Sequence, residues 1–484
     1  MIRFGPWHPD ASSVNTDTCL EAWDCLPAIT GFKPLPDLSP VSTSLGAQAL
    51  GAAAMVETDG TVFEFAGTGT KLWKLSSTST WSDVSRLVGG NYHAGGTERW
   101  QFTNFGGYML ATNIGDVVQK FDVRGGATNF TALGGSPPQC RYIGVVRDFV
   151  VLGGILNNER RVQWSGLGNA DFWTPGLQNS DYQDIQSGGP VRGFIGGEVG
   201  YIFQAERITR MTFQAGQSVV FQFDEVENGR GLAAPYSLVR LGRLAFYLAR
   251  DGFYKFDVGA ASSTPIGVGE WASWFRDDVK PGTESQVLGG IDPSQKLVLF
   301  AYIPRSSSSS LPSRVICYDW ALDEATVATI PIYAMAQWLT QGVTLDGLTS
   351  YGTLDALPFS LDSPAWRGGA GLLGIFGTDN KLSYLSGNPR AAQWVTADGA
   401  KNGRQKIRGT TPYIDTATAT VAIAMREKDC DAIIYDTAEA MEDTGEVPAS
   451  ISGNIARARI TTTAGASWTK FKGIDTDYGR QGAR

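Results

Sequence analysis

A strand–turn–strand unit recurs along most of this 484-residue chain and three times closes on an aromatic residue followed by aspartate. The three copies end in Phe121-Asp122, Phe256-Asp257 and Tyr318-Asp319. From Asp122 to Asp257 is 135 residues, three steps of 45, and a period in the 40s is the length of one four-stranded propeller blade. The next interval, Asp257 to Asp319, is 62 residues and fits if a blade carries an insertion. One blade cannot bury both of its faces, so a repeat of this size points to a ring of stacked sheets.

Weaker copies of the same unit fill the gaps. Val62–Phe65 precedes Leu72-Trp73, Gly107–Leu110 precedes Val117-Val118, and Phe149–Leu152 precedes Val162–Trp164. Further on, Tyr201–Phe203 precedes Ile208–Met211, Leu244–Tyr247 precedes Phe253-Tyr254, Leu297–Phe300 precedes the Val315 strand, and Leu372-Leu373 leads to Leu385. Short β-branched and aromatic runs bounded by Gly or Asp are strand signals. Seven candidate hairpins predict an all-β chain built on a β-propeller of six or seven blades. A β-sandwich or barrel would also give many short strands, but it has no reason to show the longer period.

The two ends read differently. Residues 1–45 carry Pro6, Pro9, Pro27, Pro34, Pro36 and Pro40, which break a regular ladder and predict an extended N-terminal arm lying on another surface. The propeller is expected over 46–390, with a serine-rich hairpin tip at 304–313 and an irregular insertion at 340–368. Residues 391–484 keep alternating strands but lose the blade period, as in Thr418–Met425 and Ile455–Ile460. They predict a small separate C-terminal β-domain serving as a platform.

Fifty-nine glycines and 18% charged residues suit tight turns in a packed β protein. No apolar run reaches the ~18–20 residues of a membrane helix. The N-terminus shows no basic-then-apolar signal segment, so synthesis in a cytoplasm is expected. Cys19, Cys25, Cys140, Cys317 and Cys430 contain no CxxC pair; Cys19 and Cys25 are near enough to bridge, but free thiols are expected. The formal charge of −8 argues against a general electrostatic grip on nucleic acid.

Chemistry is sparse. Only His8 and His93 are available as imidazoles, which removes most serine and cysteine nucleophile mechanisms. His93 lies in a glycine-rich loop and reads as an incidental surface residue. Asp251, Asp292 and Asp319 are conceivable calcium ligands, but aspartates at β-turns are explained by hydrogen bonds to the backbone. The same applies to the aromatic–Asp pairs, with the aromatic in the core and the Asp capping the next turn. No P-loop, Rossmann fingerprint or sialidase Asp-box is present. The expectation is no enzyme activity, with no catalytic, cofactor-binding or metal residues and no cofactor.

Three stretches carry a family resemblance: Arg161–Trp173 with Gln183–Gly193; Tyr201–Phe213 with Val220–Asp224; and Gly403-Arg404 through Pro412–Asp415 to Trp468-Thr469 and Gly473. Together they resemble the nozzle, or tail tubular, proteins of short-tailed bacteriophages. The resemblance implies a virion protein assembled in the host cytoplasm. It would form a homohexameric ring below the head-to-tail adaptor, flanked by tail fibres and able to contact the host's outer surface. Such a ring closes and then conducts DNA during genome ejection. Six copies would carry a formal −48, six times −8, and an acidic passage would let phosphate slide. The alternative is a glycan-binding or glycan-degrading propeller of a tail or secreted protein, to which the 14 tryptophans would lend stacking surfaces.

Overall fold

The computed structural model describes all residues except 1, 4, 12–17, 59, 218, 340–352, 354–370, 417 and 481–484. Six free-standing four-stranded sheets and a seventh four-stranded meander, Leu288–Asp292 to Glu324–Thr329, surround a common axis. In chain order the blades begin at Gly51, Gln101, Cys140, Val191, Val239, Leu288 and Ala334. The fold is a β-propeller.

The hairpins expected from sequence are the second and third strands of the blades. Phe149–Ile155 is buried at every position, as are Gly200–Gln204 and Leu297–Tyr302. Both faces of a middle strand meet neighbouring blades, so these strands read as continuous apolar runs rather than alternating ones. Outer strands such as Thr131–Ala132 and Asp181–Asp184 face solvent and are polar. The 135-residue interval spans blades 2 to 5. The longer interval holds an insertion between blades 5 and 6 that carries the short helix Ala272–Asp278.

Seven apolar clusters close the ring, one at each interface between neighbouring blades. Between blades 1 and 2, Phe65, Phe121 and Phe130 form a triangle with centroids 5.1–5.6 Å apart. Trp100 joins this cluster and donates from Nε1 to the Thr68 carbonyl at 2.9 Å. Gly67 is required there, because a Cβ would stand 2.3 Å from the Trp100 indole. Between blades 7 and 1, Trp338 and Phe376 pack on Trp81. Edge-to-face aromatic pairs of this kind add about 0.5–1.5 kcal/mol each beyond area burial.

The N-terminal segment corrects the reading of prolines as ladder breakers. Residues 19–40 form four strands, and Pro36–Pro40 is the outer strand of blade 7, pairing Leu38 with Leu385 and Pro40 with Ser383. The last blade is thus completed by the start of the chain. On an edge strand a proline's absent N–H need only face outward, which is why these prolines are tolerated.

The strands from Gln393 onward do leave the blade pattern, but they are not detached. Cys19–Trp23 pairs in parallel with blade 6 at Val327 and antiparallel with Gln393–Thr396. From there the sheet continues through Val447–Thr461, Gly399–Ile414 and Phe471–Arg480 to the hairpin Cys25–Ala28 and Gly31–Pro34. Blade 6 and this C-terminal platform therefore form one 14-stranded sheet. Asp24, with φ 52°, turns the chain at the junction, and its carboxylate receives Arg390 Nε at 2.9 Å. The expected insertion at 340–368 lies outside the described residues apart from position 353. The 304–313 tip is described and is largely exposed around Ser308–Ser310.

Candidate functional site

The innermost strands of all seven blades surround an axial cavity of about 330 Å³, whose wall includes Arg99, Gln101, Tyr142, Tyr236 and Gln337. Arg99 lies at the entry to the first strand of blade 2. Its Nη1 donates to the Tyr333 carbonyl of blade 7 at 2.6 Å, and its backbone N–H donates to Tyr236 Oη at 3.2 Å. The guanidinium also sits 5.8 Å from the Tyr236 ring centroid. Burial lowers its pKa to about 10, which still leaves it cationic at neutral pH.

Among the described residues no carboxylate stands within ion-pair distance of Arg99. The adjacent Glu98 is engaged by Arg141 Nε at 3.1 Å. Two arginines of the neighbouring inner strands are taken up by carbonyls: Arg192 Nη1 donates to Leu232 and Ala233 at 3.1 and 2.9 Å, and Arg240 Nε to Gly242 at 2.7 Å. Burial raises Tyr236 to about 12 and Tyr142 higher still, so both phenols stay protonated. The axis of an acidic chain thus holds one buried guanidinium, Arg99, and two protonated phenols, with Glu98 close enough to raise both of them. This was not legible in the sequence, because Arg99, Tyr142 and Tyr236 come from three different blades.

The platform is held by a buried charge cluster. Asp398 is sealed from solvent and accepts Arg457 Nε and Nη2 at 2.8 and 2.9 Å, while Arg426 Nη2 binds the same carboxylate. The platform also exposes apolar residues. Ile29, at a hairpin tip, is 88% exposed, and Ile434 is 74% exposed.

The residues considered from sequence take structural places. Phe121, Phe256 and Tyr318 are buried. Asp122 Oδ1 accepts the Gly125 N–H at 2.8 Å, Asp257 Oδ1 those of Gly259 and Ala260, and Asp319 Oδ1 those of Ala321 and Leu322. Asp292 Oδ1 caps its turn on Ser294 N at 2.9 Å, and Asp251 accepts the Tyr254 hydroxyl at 2.6 Å. Among the described residues no three His, Cys, Asp or Glu side chains converge as metal ligands. His8 approaches Glu270 at 3.7 Å. His93 is exposed, but its loop is fixed: Asp116 accepts the His93 backbone N–H at 2.7 Å and is itself paired with Arg86 at 2.8 Å. All five cysteines are free, four of them buried and Cys430 exposed. Burial pushes the thiols of Cys140 and Cys317 up to about 12 and those of Cys19 and Cys25 higher.

No helix among the described residues is long and apolar enough to cross a membrane. No family model matches the chain, and no curated protein matches it. Among solved structures it is similar to the extracellular domain of a putative one-component system from B. thetaiotaomicron, at 9% identity and a TM-score of 0.44. The likeness covers 85% of this chain and 47% of that one, so the chain spans about half the length of that structure. The propeller assignment rests on the strand topology.

Proposed function

We propose that this chain is a structural subunit of a short bacteriophage tail, a nozzle that assembles as a ring of six below the head-to-tail adaptor and conducts DNA during ejection. The observation that most supports this reading is the single sheet running from blade 6 into the platform. A subunit that must hold a passage under internal pressure benefits from having no hinge between its two parts. A cyclic ring also needs heterologous contacts between copies, and the exposed Ile29 and Ile434 on the platform are suited to such burial. In this reading the adaptor, the tail fibres and the host surface are partners, and the chain has no enzymatic step.

The test is genetic. Particles made without this chain should package DNA but fail to retain or deliver it, and supplying the chain in trans should restore infectivity. Intact, infectious particles lacking the chain would rule the reading out.

A second reading, a glycan-binding propeller, is favoured by one surface. A depression of about 700 Å³ across the outer strands of blades 3 and 4 is lined by Gln183, Gln186, Gln214, Gln217 and Gln222. Neighbouring Tyr182 is 41% exposed, with Arg161 stacked 3.9 Å from its ring centroid. Neutral amides beside an aromatic face match the hydroxyls and apolar faces of sugars. Retention of the chain on immobilised polysaccharide, lost in Gln183→Ala/Gln222→Ala, would support it; equal retention of the variant would count against it.

A further inference from the structure

We infer that the axial cavity of the propeller is a binding site for a small oxyanion, a phosphate or a carboxylate group, held by Arg99 with the phenols of Tyr142 and Tyr236. The inference stands independently of the tail reading. A guanidinium has five N–H groups in a fixed fork, and the one protein acceptor bonded to the Arg99 side chain is the Tyr333 carbonyl. Among the described residues Nε and Nη2 make no hydrogen bond to the protein, and Arg99 lines the cavity.

The surrounding groups point the same way. Tyr236 Oη already accepts the Arg99 backbone N–H, which leaves its own proton to donate. Tyr142 lines the same space, and among the described residues its hydroxyl bonds no protein group. A buried cation without a paired anion is costly, and Glu98, whose charge reaches both phenols, is ion-paired with Arg141 and not with Arg99. An oxyanion satisfies the open fork in bidentate fashion and accepts from both phenols. Gln101 and Gln337 supply neutral amides around it. The volume of about 330 Å³ admits a small ion or a short organic acid.

The experiment is thermal unfolding of the full chain in sodium phosphate or sodium acetate against sodium chloride, at matched pH and ionic strength. Calorimetric titration of the same anions gives the stoichiometry. A filled site should raise the midpoint by about 3 °C or more at saturating anion, with one anion per chain. Arg99→Met should abolish the rise. Tyr142→Phe, which removes no protein hydrogen bond among the described residues, should weaken binding several-fold, and it carries the test if Arg99→Met does not fold. A rise with phosphate, with acetate or with both sustains the site and identifies its anion. No rise with either, or a rise unchanged in Tyr142→Phe and in a folded Arg99→Met, overturns it.

Discussion

Replacing Asp398 with asparagine should weaken the platform by about 3 kcal/mol. The carboxylate is fully buried, and it neutralises Arg426 and Arg457, whose side chains are 8% and 14% exposed. Asparagine keeps the shape but removes the charge, and its amide N–H₂ confronts guanidinium donors. Breaking a buried ion pair by removing one partner costs about 3–5 kcal/mol. The lower end applies because Arg426 retains the Asp429 carboxylate at 3.3 Å and the Asp429 carbonyl at 2.9 Å. Urea unfolding is the assay, followed by protease resistance of the 391–480 region because a chain of this size need not unfold in two states. With a slope of about 3 kcal/mol/M, the platform transition should move down by roughly 1 M urea. A loss below about 1 kcal/mol would show that the two arginines are solvated and would refute the buried-cluster argument. Asp398→Leu combined with Arg426→Met and Arg457→Met should recover much of the loss, since a well-packed apolar replacement needs no counter-charge.

Three further outcomes follow from packing and ionisation. Glu64, buried in blade 1 beside Trp338 of blade 7, has its pKa raised by burial from 4.5 to about 7, with the Trp338 indole acting in the opposite direction. The folded state therefore binds more protons than the unfolded chain between these values, so stability falls as pH rises from about 4.5 through 7, by at most roughly 3 kcal/mol. Glu64→Gln should flatten that slope, and identical pH profiles for variant and parent would contradict it. Trp338→Ala, at the interface where the ring closes on Trp81, should cost about 3–5 kcal/mol in denaturant unfolding; a cost under 1 kcal/mol would mean that the ring does not close there. Of the five thiols, only Cys430 should react with a thiol reagent in the native chain and all five in denaturant, so fast native labelling of a second cysteine would contradict the buried positions.

The sequence revealed most where each blade is most confined. Second strands are pressed between neighbours on both faces, so Phe149–Ile155 and Leu297–Tyr302 are unbroken apolar runs that stand out in the sequence. Inner and outer strands were missed because they are short, glycine-containing or half exposed, as in Val239–Leu241 and Asp181–Asp184. The closing strand was hidden by its own composition. Pro-Asp-Leu-Ser-Pro at 36–40 has no apolar alternation, and its partner lies almost 350 positions away. The Arg99 cavity was invisible for a related reason, since a ring assembles its axis from one short segment per blade. The aspartates at Asp122, Asp257 and Asp319 are legible as turn caps, because that role depends only on residues two or three positions ahead.

The most direct test of the proposed role is electron microscopy of phage particles from the source, using gold-labelled antibody against this chain and six-fold averaging of the tail. Label should appear at the free end of a short tail, around a ring of six propellers. Label on the head or the fibres, or no label on any particle, would contradict it.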